Sequence, residues 1–209
     1  MRSLVWTHWG ITFDKNINLE EHIRNKSKGA FYHLRNIAKI RNCLSQKDTE
    51  ILVHAFISSK IDYCNALLYG LPQKSIEKLQ HVQNCAARLT TRTKKCQHIT
   101  PVLEELHWLP VMQRVKYKIL LLTYKALNEM APQYMTDLLE HYIPPRNLRS
   151  ASKNLLKVPK SNLKSYGDRS FKVAAPKLWN NLTHELRNNI SIDTFKKNLK
   201  TLLFKEAFT

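Results

Sequence analysis

Apolar side chains recur along most of this chain at intervals of three and four residues, the spacing that lines one face of an α-helix. Ile23, Ala30, Phe31, Leu34, Ile37 and Ala38 predict a helix from about Leu19 to Asn42. Asn18 opens it, with Glu20 and Glu21 in the first turn, where carboxylates suit the helix dipole. Ser45 and Asp48 form a capping-box pattern, and Ile51, Leu52, Ala55, Phe56 and Ser59 carry a second helix. Gly70 and Pro72 interrupt the pattern before Ile76, Leu79, Val82, Gln83, Ala86 and Ala87 predict a third. Thr100-Pro101 reads as an N-cap and first helical residue of a short helix to Leu106. Pro110 repeats the device ahead of a long helix through Val111, Val115, Ile119, Leu122 and Leu127, and Gln133 to His141 reads as one more helical piece. Amphipathic segments joined by short loops predict an all-α bundle.

The pattern breaks at Tyr142-Ile143-Pro144-Pro145. The following stretch is rich in Ser and Asn and weakly periodic, which predicts an extended, partly disordered arm with a short strand at Leu155 to Val158. Apolar periodicity returns with Ala174, Ala175, Leu178, Trp179 and Leu182, as a helix or a turn-rich cluster. Ser191 is expected to cap a final helix through Phe195, Leu199, Leu202, Leu203 and Phe204. The expected architecture is mainly α, in four parts: a leading segment 1–18, a helical body 19–143, a basic linker arm 144–170 and a carboxy-terminal helical segment 171–209.

Charge changes this picture more than composition does. The 209 residues include 34 Lys and Arg against 16 Asp and Glu, a formal net charge of +18. A chain this basic is built to meet a polyanion, either nucleic acid or an anionic membrane surface. Between Arg146 and Lys177 nine basic residues face one acid, Asp168. The arm lacks the sustained amphipathic stripe of an interfacial helix, so nucleic acid is the partner favoured over membrane. The residues assigned to it are Arg88, Arg92, Lys94 and Lys95 at the end of the third helix, and Arg146, Arg149, Lys153, Lys157, Lys160, Lys164, Arg169 and Lys172 in and just beyond the arm. Tyr166 is interleaved with them as a stacking face, whereas Phe171 and Trp179 read as core anchors.

Little else in the sequence carries chemistry. The glycines, Gly10, Gly29, Gly70 and Gly167, lie too far apart to build a phosphate-cradling loop. The only adjacent acids are Glu20-Glu21 and Glu104-Glu105, placed early in predicted helices, and no Asp-Asp pair occurs to hold two metal ions. Cys43, Cys64 and Cys85 are expected as small core thiols on helices. Cys96 is read as a loop residue whose nearest candidate co-ligands for zinc are His98 and His107. No Gly-x-Ser-x-Gly elbow is present. No catalytic residue, metal or cofactor is assigned. Without a signal peptide or a long apolar run, the chain reads as intracellular with reduced thiols.

Several blocks are long and unusual. They include Gly10-Ile11-Thr12-Phe13-Asp14 with His22-Ile23, Phe31 to Ile37, Asp62-Tyr63-Cys64-Asn65 with Leu68-Tyr69-Gly70-Leu71-Pro72, and Leu79 to Asn84 with Ala86-Ala87-Arg88. Leu106-His107-Trp108-Leu109-Pro110-Val111 with Arg114, Gly167 with Arg169-Ser170-Phe171, Ala174-Ala175-Pro176, Leu178-Trp179-Asn180, and Phe195-Lys196 before Leu199-Lys200 and Leu203-Phe204 complete the set. Together they resemble the region after the catalytic palm in reverse transcriptases of non-LTR retrotransposons, of the jockey-like and chicken-repeat-like kind, over about residues 10 to 206. Leu4 to Trp9, and Thr183 where a Pro is usual, depart from that pattern. The resemblance implies a helical thumb and carboxy-terminal extension of an RNA-directed DNA polymerase that grips RNA or an RNA–DNA template–primer by its backbone. It implies that the catalytic aspartates and the endonuclease lie upstream of Met1, that this chain does not itself synthesise DNA, and that it works in a nuclear or cytoplasmic ribonucleoprotein. Two other readings start from the same blocks: a relict or gene-model fragment that does not act alone, and a basic nucleic-acid-binding protein adopted by a host.

Overall fold

The computed structural model describes residues 5–14, 17–144, 154–163, 166–188 and 191–209. The fold is mainly α, as the periodicity predicts. Two compact units divide it, one up to Arg114 and the other from Val115 to Ala207, the division falling inside the helix Val111–Leu127.

The amino-terminal unit opens with an antiparallel hairpin, β1 (Val5–His8) and β2 (Ile11–Asp14), that the hydrophobic pattern did not announce. Four-residue strands are too short to show a period of two. The signal was local instead: Trp9 and Gly10 make the two-residue loop, both at positive φ, and glycine at the second position is what a type I′ turn favours. Next comes α1 (Glu20–Ile40), opened by the Glu20 N–H donating to Asn18 Oδ1 at 3.0 Å. Leu19 takes a left-handed conformation (φ 57°) that costs a non-glycine residue roughly 1–2 kcal/mol. Its side chain is 2% exposed, and full burial of a leucine is worth about 1.5–3 kcal/mol, so packing wins.

The capping box at Ser45 forms as expected and starts α2 (Gln46–Val53). A π-turn at His54–Ser58 carries the chain into α3 (Ser59–Asp62). The unit's central helix is α4 (Gln73–Thr91), against which α1, α2 and α5 (Thr100–Glu105) pack. Ile23, Ala30 and Ile37 of α1 and Ile76, Leu79, Val82, Ala86 and Ala87 of α4 are buried here. Two glutamines on α4 fix the turn around Pro110. Gln83 Nε2 donates to the Leu109 carbonyl at 2.9 Å, and Gln80 Oε1 accepts the Val111 N–H at 2.9 Å, so Gln80 satisfies a donor at the start of α6 (Val111–Leu127). The predicted cap of α5 moves by one residue: Ile99 precedes the helix, Thr100 is its first residue, and no side-chain cap forms. The cysteine expectation is also corrected. Cys43 is exposed and Cys64 and Cys85 half-buried, because Cys43 lies in a 3-10 turn and Cys64 at a left-handed turn residue, off the packed faces of the helices.

In the second unit a short α7 (Gln133–Thr136) replaces the longer helical piece expected as far as His141. From there the chain turns extended: His141 pairs with Leu156, the Tyr142 N–H donates to Leu155 O and the Lys157 N–H to Glu140 O, near the strand predicted at Leu155 to Val158. On α8 (Phe171–Asn180), Asn180 holds that segment twice, accepting the Leu156 N–H at 2.9 Å and donating to Leu156 O at 2.8 Å. Trp179 Nε1 donates to Asn154 O at 3.0 Å. A short α9 (His184–Arg187) leads to α10 (Ile192–Phe208), which starts at Ser191 without the expected side-chain cap. Phe195 of α10 stacks on Tyr124 with ring centroids 4.3 Å apart and lies 5.9 Å from Trp179, forming the aromatic centre of this unit. No described helix is long and apolar enough to cross a membrane.

Arg41 is buried at the carboxy-terminal end of α4. Its Nε, Nη1 and Nη2 donate to Leu89 O, Leu44 O and Thr90 O, each at 2.8 Å. Arg41→Ala is expected to lower unfolding stability by about 2–4 kcal/mol in a denaturant titration, since it orphans carbonyls that water reaches poorly. Arg24→Ala, which removes an exposed pair with Glu21, should change it by less than about 0.5 kcal/mol.

His22 joins the hairpin to α1 by accepting the Thr12 N–H on Nδ1 at 3.3 Å. Burial, then the Lys26 ammonium, push this imidazole down to about 4. The unfolded chain therefore binds the extra proton between about pH 6.5 and 4, and stability contributed by neutral His22 is present above 6.5 and lost as pH falls through that window. Denaturation of the protein and of His22→Gln at pH 7 and pH 4.5 should show the native protein losing more, by on the order of 2 kcal/mol.

Candidate nucleic-acid interface

The residues assigned to nucleic acid divide into two groups, one in each unit. In the amino-terminal unit, Arg88, Arg92, Lys94 and Lys95 lie at the end of α4 and in the loop that follows. The two arginines are partly engaged inside the protein. Arg88 Nη2 donates to Gln97 O at 2.8 Å, and Arg92, the left-handed residue that ends α4, donates from Nη2 to Arg41 O at 3.3 Å. Arg41 O lies just beyond the end of α1, where orphan carbonyls attract such groups. Lys94 and Lys95 are exposed and make no such contact, and Arg92 is exposed as well despite its bond to Arg41 O. Arg88 and Arg92 therefore have a structural role that spacing alone did not reveal.

Arg146, Arg149, Lys153 and Lys164 fall outside the described residues. Of the others in the second unit, Lys157 is paired with Glu140 (Nζ to Oε2 2.8 Å), and this contact holds the Glu140 carboxyl below its usual range. Lys177 is paired with Asp168 at 3.1 Å. Arg169 is half-buried. Lys160 and Lys172 are exposed, and here the fold does bring predicted residues together: both line a groove of about 550 Å³ with Asn162, Tyr166, Pro159 and Val173.

One carbonyl organises the wall of that groove. Leu163 O accepts from Ser161 Oγ at 3.1 Å, from the Gly167 N–H at 2.8 Å and from the Asp168 N–H at 3.3 Å. Ser170 Oγ closes the loop on Gly167 O at 2.6 Å. The loop is thereby folded on itself, with Tyr166 left 45% exposed at its edge. Sequence reasoning found the lysines and the tyrosine from charge and aromatic interleaving. It missed Ser161, Asn162 and Gly167, whose only signal was a Ser/Asn-rich context that equally fits a disordered arm.

Among the described residues there is no group of three His, Cys, Asp or Glu placed to hold a metal ion. Cys96 and His98 are exposed, and His107 Nδ1 meets the Glu105 carbonyl at 3.0 Å. Compared with protein families, curated proteins and solved structures, the chain matches none.

A β-carbon at Gly167 would stand 2.0 Å from Ser161 Oγ and 2.9 Å from Leu163 O. Ser161 can rotate away, but the carbonyl belongs to backbone already holding three donors. Gly167→Ala is therefore expected to open the loop at a cost of about 1–3 kcal/mol in thermal or denaturant unfolding, while leaving far-ultraviolet helical signal unchanged.

Proposed function

We propose that this chain is a nucleic-acid-binding module that holds RNA or an RNA–DNA duplex by its backbone, and that it is the thumb-like, carboxy-terminal part of a non-LTR retrotransposon RNA-directed DNA polymerase, without catalysing synthesis itself. The observation that carries the binding reading is the groove that unites Lys160, Lys172 and Tyr166. Two exposed ammonium groups beside a half-exposed aromatic ring offer counter-charge to phosphates and a face on which an unpaired base can stack. Neither feature reads base identity, so the affinity is independent of sequence. Lys94 and Lys95 add a second patch of positive charge in the other unit. The polymerase assignment rests on the residue blocks of the resemblance, and places the module in a nuclear or cytoplasmic ribonucleoprotein beside the parent protein's palm.

Binding to a short single-stranded RNA, measured against salt, should give a log–log slope of about −4 or steeper. The double variant Lys160→Ala, Lys172→Ala should weaken every sequence alike and reduce the slope by about 1.5, since each phosphate contact on a single strand contributes about 0.7. Tyr166→Ala should cost about 1–3 kcal/mol and leave the slope unchanged, because stacking releases no counterions. A flat slope, or no binding at low salt, contradicts the reading. Nucleotide incorporation by the purified chain with magnesium would contradict the non-catalytic assignment.

A further inference from the structure

A second cavity, of about 520 Å³, lies in the amino-terminal unit between the hairpin, α1 and the end of α3. Its wall is rich in donors. Lys26 from α1 and Lys60 from α3 bring two ammonium groups, Asn25 adds an amide, and none of the lining residues is acidic. Lys60 Nζ lies against α1 at Gly29, 3.9 Å from where a β-carbon would stand.

His22 supplies a separate observation. Its side chain belongs to the same wall and the residue is only 2% exposed. Nδ1 accepts the Thr12 N–H, so in the neutral ring the proton must sit on Nε2. That Nε2 is buried and has no partner. A buried donor without an acceptor is unfavourable, and such groups in folded proteins call for an explanation. Lys26 shows a related deficit. Its ammonium donates to Tyr63 O and sits 5.9 Å from the Tyr63 ring centroid. Burial pushes it down to about 8, with Cys64 and Asp62 opposing that shift. Asp62 is itself engaged by Arg114 at 3.3 Å. The cavity thus holds more positive charge and donor capacity than the protein compensates.

We propose that this cavity binds a small phosphoryl-bearing anion, with Lys26 and Lys60 countering its charge and His22 Nε2–H donating to one of its oxygens. The volume exceeds that of one phosphate group and leaves room for a small organic substituent against Gly10 and the half-exposed ring of Tyr63. The same phosphoryl chemistry is presented by a free phosphate monoester and by the phosphorylated 5′ end of a nucleic-acid strand. This site is built from residues of the amino-terminal unit alone, and its test does not depend on the groove of Lys160 and Lys172.

Calorimetric titration of the full chain at constant ionic strength, using inorganic phosphate, tests the proposal. Saturable binding of one phosphate per chain is expected, with Lys26→Met and Lys60→Met each weakening it at least tenfold. Lys26→Met removes a half-buried cation that has no carboxylate partner of its own, so it should keep the fold, checked by circular dichroism. With sulfate, whose charge is constant from pH 6 to 9.5, affinity should hold to about pH 7 and fall as pH rises through 8. His22 on the same helix, Lys60 and Tyr63 from the α3 side, and Cys64 and Asp62 beside them are the other titratable groups around Lys26. The arms that separate the sources use one oligonucleotide with either a 5′-phosphate or a 5′-hydroxyl. Preference for the phosphorylated strand, lost in Lys26→Met, assigns the site to strand ends. Equal binding of both strands, with inorganic phosphate still bound, assigns it to a free monoester. Absence of phosphate binding together with equal binding of the two strands, or full phosphate affinity in Lys26→Met, overturns the proposal.

Discussion

Buried helix ends set the terms for this fold. The last carbonyls of a helix have no intrahelical donor, and where packing hides them from water another group must supply one. Each unit meets this need with an arginine. In the amino-terminal unit Arg41 reaches Leu89 O and Thr90 O of α4 and ties them to Leu44 O. In the second unit Arg187, 9% exposed, donates from Nη1 to Asn180 O at the end of α8 and to Leu182 O just beyond it. A guanidinium suits the task because its donors diverge in one plane and its charge is favoured at a helix carboxy terminus. These contacts tie the carboxy-terminal ends of α4 and α8 to the segments beside them.

This constraint also changes how the net charge is understood. A surplus of +18 invites the view that every cation faces a partner. Arg41 and Arg187 are internal braces, Arg88 and Arg92 are partly bound to backbone carbonyls, and Lys157 and Lys177 have carboxylate partners. Of the described cations assigned to nucleic acid, Lys94 and Lys95 on one unit and Lys160 and Lys172 on the other are exposed and make none of these contacts. Exposed ion pairs such as Lys157–Glu140 are weak, so their lysines can exchange partners when a phosphate approaches, whereas the buried arginines cannot.

The unusual sequence blocks acquire a physical meaning as well. Gln80 and Gln83 belong to one block and bond the backbone of Leu109 and Val111 in another. Asp62 meets Arg114, and Tyr63 Oη donates to Trp9 O at 2.6 Å beside Gly10. Trp179 and Asn180 hold Asn154 and Leu156. Much of what makes the sequence distinctive is thus a set of matched polar contacts that fix loops onto helices.

The sequence alone determined the helices, because a stripe of apolar residues at helical spacing is a local property and survives without knowledge of neighbours; α1, α4, α6 and α10 are read directly from it. It also located the Ser45 capping box, the extended run near Leu156, and the Lys160, Tyr166 and Lys172 that share a groove. It did not reveal the hairpin, which is too short for a period to show, and it predicted side-chain caps at Thr100 and Ser191 that do not form. Only the tertiary structure decided which arginines turn inward, and only it placed His22, Lys26 and Lys60 around one cavity, since two of those residues lie on one helix and the third more than thirty positions away. A cation's role depends on what lies across from it in space, and no pattern along the chain carries that information.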